Sequence, residues 1–329
     1  MKDLLKKAAS GGVLTEDESY EMTRQMPGEN EIAAGALLAV MASRGVRVPE
    51  LVGCVRCLRD NMIPVPVKRP CADIVGTGGD GAKTFNISTA AAFTAAGAGV
   101  RIAKHGNRAV SSSCGAADVL EYAGLDLKKT PDELARSVET KGFAFLFARA
   151  HHPAMAKVAP LRKALGIRTI FNLAGPLANP ARAQHMVVGV YGAELIRPFA
   201  EVLLELGIRR ALVVHSDDGL DEISSLAGTH AVLLKEGEIR DIAIDPADHL
   251  KEEERRGSLT GGDTAQNARI LYGILKDEDH SAKRGAVLLN AGALCLASGA
   301  ASDLREGIAL ARRSLDSGAA LAKLEEAVR

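Results

Sequence analysis

Two successive segments carry residue types that can hold a phosphate ester. Asp73-Ile-Val-Gly-Thr-Gly-Gly-Asp80 places a glycine loop and a carboxylate after one β-branched run, and Lys104-His-Gly-Asn-Arg108 places a basic cluster at the end of the next. Glycines allow positive φ and let backbone N–H groups reach a ligand with no Cβ in between. Asn86-Ile-Ser-Thr89 adds hydroxyls and the free N–H groups of a helix start, a second anion-binding feature. Lys104 offers a point charge for phosphate, Gly106 allows backbone approach, and Ser111-Ser-Ser113 supplies donors. Asp80 is the odd member of this set. A bare carboxylate ~5 Å from a phosphate charge costs ~3 kcal/mol at an effective dielectric near 20, and a metal ion between them removes that repulsion. The pattern suits a magnesium-loaded phosphate ester.

A third element is Asp221-Glu222, within Ser216-Asp-Asp-Gly-Leu-Asp-Glu-Ile-Ser224. Adjacent side chains diverge on a regular backbone, so this pair fits two ions better than one. Magnesium takes a few carboxylates together with substrate phosphate and retained waters. Gly76, Gly78 and Gly81 also satisfy G-x-G-x-x-G after a strand, which raises a dinucleotide site. The next strand ends in Lys104-His105 rather than an acidic ribose ligand, Asn86 is the expected helix cap well beyond the glycines, and Asp80 sits inside the loop. These weigh against a dinucleotide, and no Gly-Lys-Ser/Thr follows to make a nucleotide-triphosphate loop. Cys54-Val-Arg-Cys57 is a lone C-x-x-C in a helical setting and reads as two small apolar helix residues, not zinc or redox chemistry.

The elements that position these residues follow from periodicity. Residues 1–62 read as helices only: Thr15-Glu-Asp-Glu18 opens one with a capping box, Pro27-Gly28 stops it, Glu31 to Ser43 forms the next, and Pro49 starts another. Pro64-Val-Pro-Val-Lys-Arg-Pro70 cannot continue a helix and is the expected linker. From Ala72 short strands (Ala72–Val75, Val100–Ala103, Phe143–Phe147, Met186–Val190, Ala211–Val214) alternate with helices at 87–97, 114–123 and 194–206. A further helix, capped by Thr130, precedes Phe143. That alternation predicts a mostly parallel sheet covered on both faces, with ligands beyond the carboxyl ends of its strands. His230–Lys235 and Glu238–Ile244 form an added hairpin, and three helices starting near Thr264, Ser281 and Ser302 close the chain.

The chain has 329 residues, with 41 Lys plus Arg against 41 Asp plus Glu, so no global field recruits nucleic acid or an anionic membrane. Five scattered cysteines argue against a disulfide framework. No apolar run reaches the ~20 residues of a spanning helix, and MKDLLKKAASGG lacks a signal-peptide core, so a cytoplasmic protein is expected.

With the three elements in order, the chain closely resembles the anthranilate phosphoribosyltransferase family. The resemblance rests on DIVGTGGDG, FNIST, KHGNRAVSS, CGAADVLE, HPAMAKVAPLRKALGIRTIFNLAGPLANPA and DGLDEIS, which run from residue 73 to 224. It implies an α/β fold of the nucleoside phosphorylase and phosphoribosyltransferase kind: a small N-terminal helical domain (1–68, completed by a segment around 150–182) and a large α/β catalytic domain (69–329). The implied substrates are phosphoribosyl diphosphate and anthranilate, the implied cofactor is two Mg2+ ions, and a homodimer through the helical domain is implied, with no nucleic-acid or membrane partner. By motif position, Gly76, Gly79, Asp80, Thr84, Asn86, Ile87, Ser88, Thr89, Lys104, His105, Gly106, Asn107, Arg108, Ser111 and Ser112 would hold phosphoribosyl diphosphate. Ser88, Asp221 and Glu222 would bind the metal, Gly76, Asn107 and Arg162 would face anthranilate, and Asn107, Arg162 and His105 would serve catalysis. Ala116 stands where many relatives have Ser, which removes one hydroxyl contact. Two other readings of the same architecture are a pyrimidine nucleoside phosphorylase and a non-catalytic nucleic-acid-binding homologue. The Arg162 region opposes the first; the neutral charge balance and intact Asp221-Glu222 oppose the second.

Overall fold

The computed structural model describes residues 1–28, 30–109 and 114–329. The chain opens with α1 (Lys2–Ala9), α2 (Glu16–Gln25), α3 (Glu31–Arg44) and α4 (Val48–Asp60). The Thr15 hydroxyl accepts from Glu18 N while the Glu18 carboxylate accepts from Thr15 N, the reciprocal cap expected from the sequence. Cys54 and Cys57 are buried on α4, and burial pushes their thiols up to about 12 and about 11, which leaves them unreactive at neutral pH.

Then follow β1 (Ala72–Gly76), α5 (Ile87–Gly97), β2 (Ile102–Gly106), α6 (Ala116–Tyr122), α7 (Pro131–Thr140), β3 (Phe143–Phe147), α8 (Ala148–His151), α9 (Pro153–Leu165) and α10 (Ile170–Ala174). The second half holds β4 (His185–Gly189), α11 (Ile196–Glu205), β5 (Arg210–Ser216), β6 (Thr229–Lys235), β7 (Glu238–Ile244), α12 (Thr264–Leu275), α13 (Ala282–Ser298), α14 (Leu304–Asp316) and α15 (Ala319–Val328). Where three closing helices are expected from the sequence, the last is split in two by Gly318, whose φ of 75° lies in the left-handed region that ends a helix.

The described strands form one seven-stranded sheet in the order β3-β2-β1-β4-β5-β6-β7. Pairing is parallel from β3 through β5 and antiparallel for the β6–β7 addition. That hairpin turns on Glu236 and Gly237, both at positive φ, as a two-residue turn matched to strand twist requires. One apolar core lies between one sheet face and α5, α13, α14 and α15, and includes Phe93, Phe143, Leu212 and Leu289. A second, on the other face, joins Met186, Val188, Val213 and Phe199 to Leu37, Met41 and Val55 of the N-terminal helices and to Val158 and Phe171. The N-terminal helices are thus seated on the sheet through a shared core, with α9 packed on α3 and α10 on α4.

β2 differs from the sequence expectation in a way that matters for the site. It starts at Ile102 and runs through Gly106, because parallel pairing with β3 continues to Gly106 opposite Phe147. Lys104 and His105 are therefore buried strand residues and not part of an open strand-end loop.

A buried polar junction ties the sheet to the segment after α10. The Asp73 carboxylate accepts from His105 N at 3.1 Å and from Asn179 Nδ2 at 2.8 Å, and Asn179 Nδ2 also donates to the Ala103 carbonyl. Burial raises the Asp73 carboxyl to about 6, although Lys104 and these donors pull it back. Between about pH 3.9, where an exposed Asp ionises, and about 6 the unfolded chain holds fewer protons than the native one, so Asp73 withdraws stability as pH rises. Urea titrations of wild type and Asp73→Asn are expected to show wild type losing ground to the variant from about pH 4 to 6.5, then levelling. A difference that is flat with pH, or of opposite slope, would contradict this.

Candidate active site

The glycine loop leaves β1 and is pinned from several sides. Thr77 N donates to the Gly189 carbonyl at 2.9 Å, and Gly78 N donates to Asp221 Oδ2 at 2.6 Å. Gly78, Gly79 and Gly81 all have φ between 70° and 78°, conformations that side chains rarely adopt. Gly76 is required for a different reason: a Cβ there would lie 2.3 Å from Asp221 Oδ2. The same holds for Gly189, where a Cβ would fall 1.4 Å from the Asp221 carbonyl oxygen. Two glycines on adjacent strands β1 and β4 therefore admit the Asp221 backbone and carboxylate to the strand ends.

Glu222 turns the other way. Its carboxylate accepts from Ser88 N at 3.0 Å and so caps the first turn of α5. Asn86 occupies the N-cap position expected from the sequence, but its side chain makes no cap bond. Its Nδ2 donates to the Cys114 carbonyl at 3.2 Å, and its buried Oδ1 has no partner among the described residues. The helix-start anion site is thus partly filled by a protein carboxylate from a distant segment.

Lys104 lies beneath this arrangement, 2% exposed, with Nζ donating to the Ile74 carbonyl at 2.7 Å and to Ser88 Oγ at 3.4 Å. Burial pulls its ammonium down, while Asp73 and Glu222 hold it up. Asp73 and Glu222 are the carboxylates that act on that buried cation, while Asp80 lies near Asp221 and Glu222. Burial, followed by the nearby Asp80 charge, raises Asp221 to about 6. Burial and repulsion from Asp221 and Asp80 raise Glu222 well above the usual carboxylate range. An all-oxygen set carrying excess negative charge fits a hard divalent cation, which would reverse both shifts. Among the described residues no three histidine, cysteine or acidic side chains converge tightly enough to hold an ion unaided.

The remaining expected residues divide by exposure. Asp80 accepts from Ala82 N, Thr84 bridges to Thr260, and Ile87 and Thr89 are fully buried, so Ile87 can face a ligand only through its backbone. Gly106 makes room for the Phe145 ring, which would lie 2.8 Å from a Cβ. Asn107 is exposed and its Oδ1 accepts from Arg108 N. Arg108, expected at phosphate, is engaged by Asp118 at 3.1 Å and Glu121 at 2.7 Å on α6, over the Phe147 ring. His105 points inward: it is 4% exposed, its ring lies 5.3 Å from that of His152, and burial with its basic neighbours keeps it neutral. Arg162 on α9 is partly buried, 5.8 Å from the Phe171 ring centroid, and pairs with no carboxylate among the described residues. Ser111 and Ser112 lie outside the described residues.

Sequence reasoning passed over Gly189, Asn179, Arg168 and Tyr191. Arg168 donates to the Gly79 carbonyl and stacks 4.0 Å from the centre of the Tyr191 ring. Its position inside the G-I-R-T-I-F-N run was visible, but not its reach to the glycine loop.

Comparison with known proteins agrees with this geometry. A family model described as the a/b domain of a glycosyl transferase family matches residues 68–321, and the companion helical bundle domain matches residues 2–62. The anthranilate phosphoribosyltransferase of Rubrobacter xylanophilus is 46% identical over 331 aligned positions, covering 100% of this chain and 97% of its own length. The crystal structure of the Thermus thermophilus enzyme of that name superposes with a TM-score of 0.92 at 44% identity, covering 100% of this chain and 98% of its own. The Saccharomyces cerevisiae enzyme, solved with PRPP and Mg, gives 0.87 at 27% identity over 99% and 97% of the two chains. The same yeast enzyme is also solved with 4-fluoroanthranilate, at 26% identity, a TM-score of 0.87 and coverage of 99% and 96%. The fold, the strand-end carboxylates and full-length relatives at this identity agree: the chain belongs to the anthranilate phosphoribosyltransferase family.

Proposed function

We propose that this chain transfers the phosphoribosyl group of 5-phosphoribosyl 1-diphosphate to the amine of anthranilate, giving N-(5-phosphoribosyl)anthranilate and diphosphate, a step of tryptophan biosynthesis. The observation that carries the reading is the placement of Asp221 and Glu222 against Gly78 N and Ser88 N, with Lys104 beneath. Asp221, Glu222 and the Ser88 hydroxyl would hold magnesium, and substrate phosphate would complete its coordination. Divergence of the two carboxylates toward different elements supports two ions. When bound, magnesium supplies neutralisation of the departing diphosphate.

The amine of anthranilate is neutral and needs no base before it attacks C1 of the ribose. The chain's own residues then act by position and charge. The glycine loop and the α5 start face the phosphates with backbone donors, and Asn107 orients the amine through its side-chain carbonyl. Arg162, with no carboxylate partner among the described residues, grips the anthranilate carboxylate with two parallel hydrogen bonds. The burial of His105 supports a packing role at β2 over proton transfer.

The helical unit is inferred to comprise residues 1–68 together with the segment around 150–182, supported by the packing of α9 on α3 and α10 on α4; residues 69–329 would form the catalytic domain around that segment. A homodimer through this unit is also inferred, supported by Ile32, which is 83% exposed in the first turn of α3. No helix among the described residues is long and apolar enough to cross a membrane, and small charged substrates of this kind favour a cytoplasmic site of action.

The direct test is loss of anthranilate fluorescence on mixing with phosphoribosyl diphosphate, which should require magnesium. In that assay Asp221→Asn with Glu222→Gln is expected to lower kcat by about a hundredfold or more, as loss of transition-state charge stabilisation does, while the anthranilate KM shifts little. Near-normal turnover, or equal turnover in excess chelator, would defeat the proposal. Arg162→Ala should raise the anthranilate KM about tenfold to a hundredfold, the loss of a charge-assisted bidentate contact, and leave that of the diphosphate substrate near wild type. An unchanged anthranilate KM would remove Arg162 from the site. Sedimentation equilibrium should find a dimer that Ile32→Glu weakens; a wild-type monomer at micromolar concentration would oppose the assembly.

A further inference from the structure

We propose that Arg168 is a positioning residue for the glycine loop, a role that rests on the assignment of that loop to phosphoribosyl diphosphate. Arg168 stands in the short connection between α9 and α10, far in sequence from β1. Its Nη2 donates to the Gly79 carbonyl, and its guanidinium lies over the Tyr191 ring, 4.0 Å from guanidinium carbon to ring centre. Tyr191 follows β4 and is itself tied to the loop, since its backbone N donates to Thr77 Oγ1 at 3.1 Å. Thr77, Gly79, Arg168 and Tyr191 thus close a ring of contacts on one side of the loop, while Gly78 N is held by Asp221 on the other. Among the described residues no carboxylate within ion-pair distance takes up the Arg168 charge; it is shared between a carbonyl and an aromatic face.

A peptide carrying successive residues at φ of 70° and 77° can rotate unless both its faces are fixed. The carbonyl of Gly79 belongs to the peptide whose N–H is that of Asp80. Holding the oxygen therefore sets the direction of the Asp80 N–H and places Asp80 beside Asp221. The clamp also joins the segment that carries Arg162 to the loop assigned to the other substrate, so the two halves of the site are held in one register.

Loop order is read by hydrogen exchange in the ligand-free protein, with no substrate involved. Arg168→Ala is expected to speed exchange at the Gly79–Gly81 amides about tenfold and to raise the KM for phosphoribosyl diphosphate about tenfold, the loss of one charge-assisted hydrogen bond. The anthranilate KM and the thermal midpoint should stay near wild type. Arg168→Lys, which keeps the charge but not the planar guanidinium, should fall between the two. Tyr191→Leu should reproduce the effect, and the double variant should be no worse than Arg168→Ala alone, since both remove one clamp. Unchanged exchange at those amides, additive effects in the double variant, or a rise confined to the anthranilate KM would overturn the proposal. If wild type consumed no phosphoribosyl diphosphate, the functional reading would fail separately, and exchange alone would still decide whether Arg168 orders the loop.

Discussion

Asp221 and Glu222 meet at the strand ends beside Asp80, and Glu222 shares its surroundings with one buried ammonium, that of Lys104. The negative charge exceeds the positive, and burial removes the water that would otherwise screen it. Backbone donors soften the imbalance: Gly78 N for Asp221 and Ser88 N for Glu222. They do not cancel it. Such a cluster is suited to completion by a cation, and a substrate that brings phosphate oxygens would let that cation bind without a preformed protein cage.

The fold makes this juxtaposition possible at one place in the sheet. Strand order runs outward from β1 through β2 to β3 on one side, and from β4 to β5 on the other, so connections diverge between β1 and β4 and leave a crevice beyond their carboxyl ends. The glycine loop leaves β1 at that crevice, and the acidic pair arrives from the segment after β5. Gly76 and Gly189 are the admission points, because a methyl group at either would occupy space that Asp221 fills. A side chain at either would displace Asp221, although the position of Gly76 in its motif suggests substrate binding.

Much of this was legible in the sequence. The helical start, the alternation from Ala72 onward, the added hairpin and the three chemical segments follow from periodicity, caps and residue type, all of which are local signals. What local signals could not carry were contacts between distant segments. Pairing with β3 extends β2 through Gly106 and buries Lys104 and His105, which by themselves read as an exposed basic turn. Asn86 looks like the cap of α5, yet Glu222, 134 residues beyond Ser88, takes the Ser88 N–H. Arg108 reads as a phosphate ligand, yet two carboxylates on α6 engage it. Asn179 and Arg168 looked like ordinary residues of a long motif because their partners, Asp73 and Gly79, lie about a hundred residues earlier.

The most direct measurement is a crystal structure of the protein soaked with phosphoribosyl diphosphate and magnesium. Diphosphate density is expected between the Gly78–Gly81 turn and the first turn of α5, with divalent ions between it and Asp221 and Glu222. Density for the sugar at another part of the molecule, or at this crevice with no ion near those carboxylates, would contradict it.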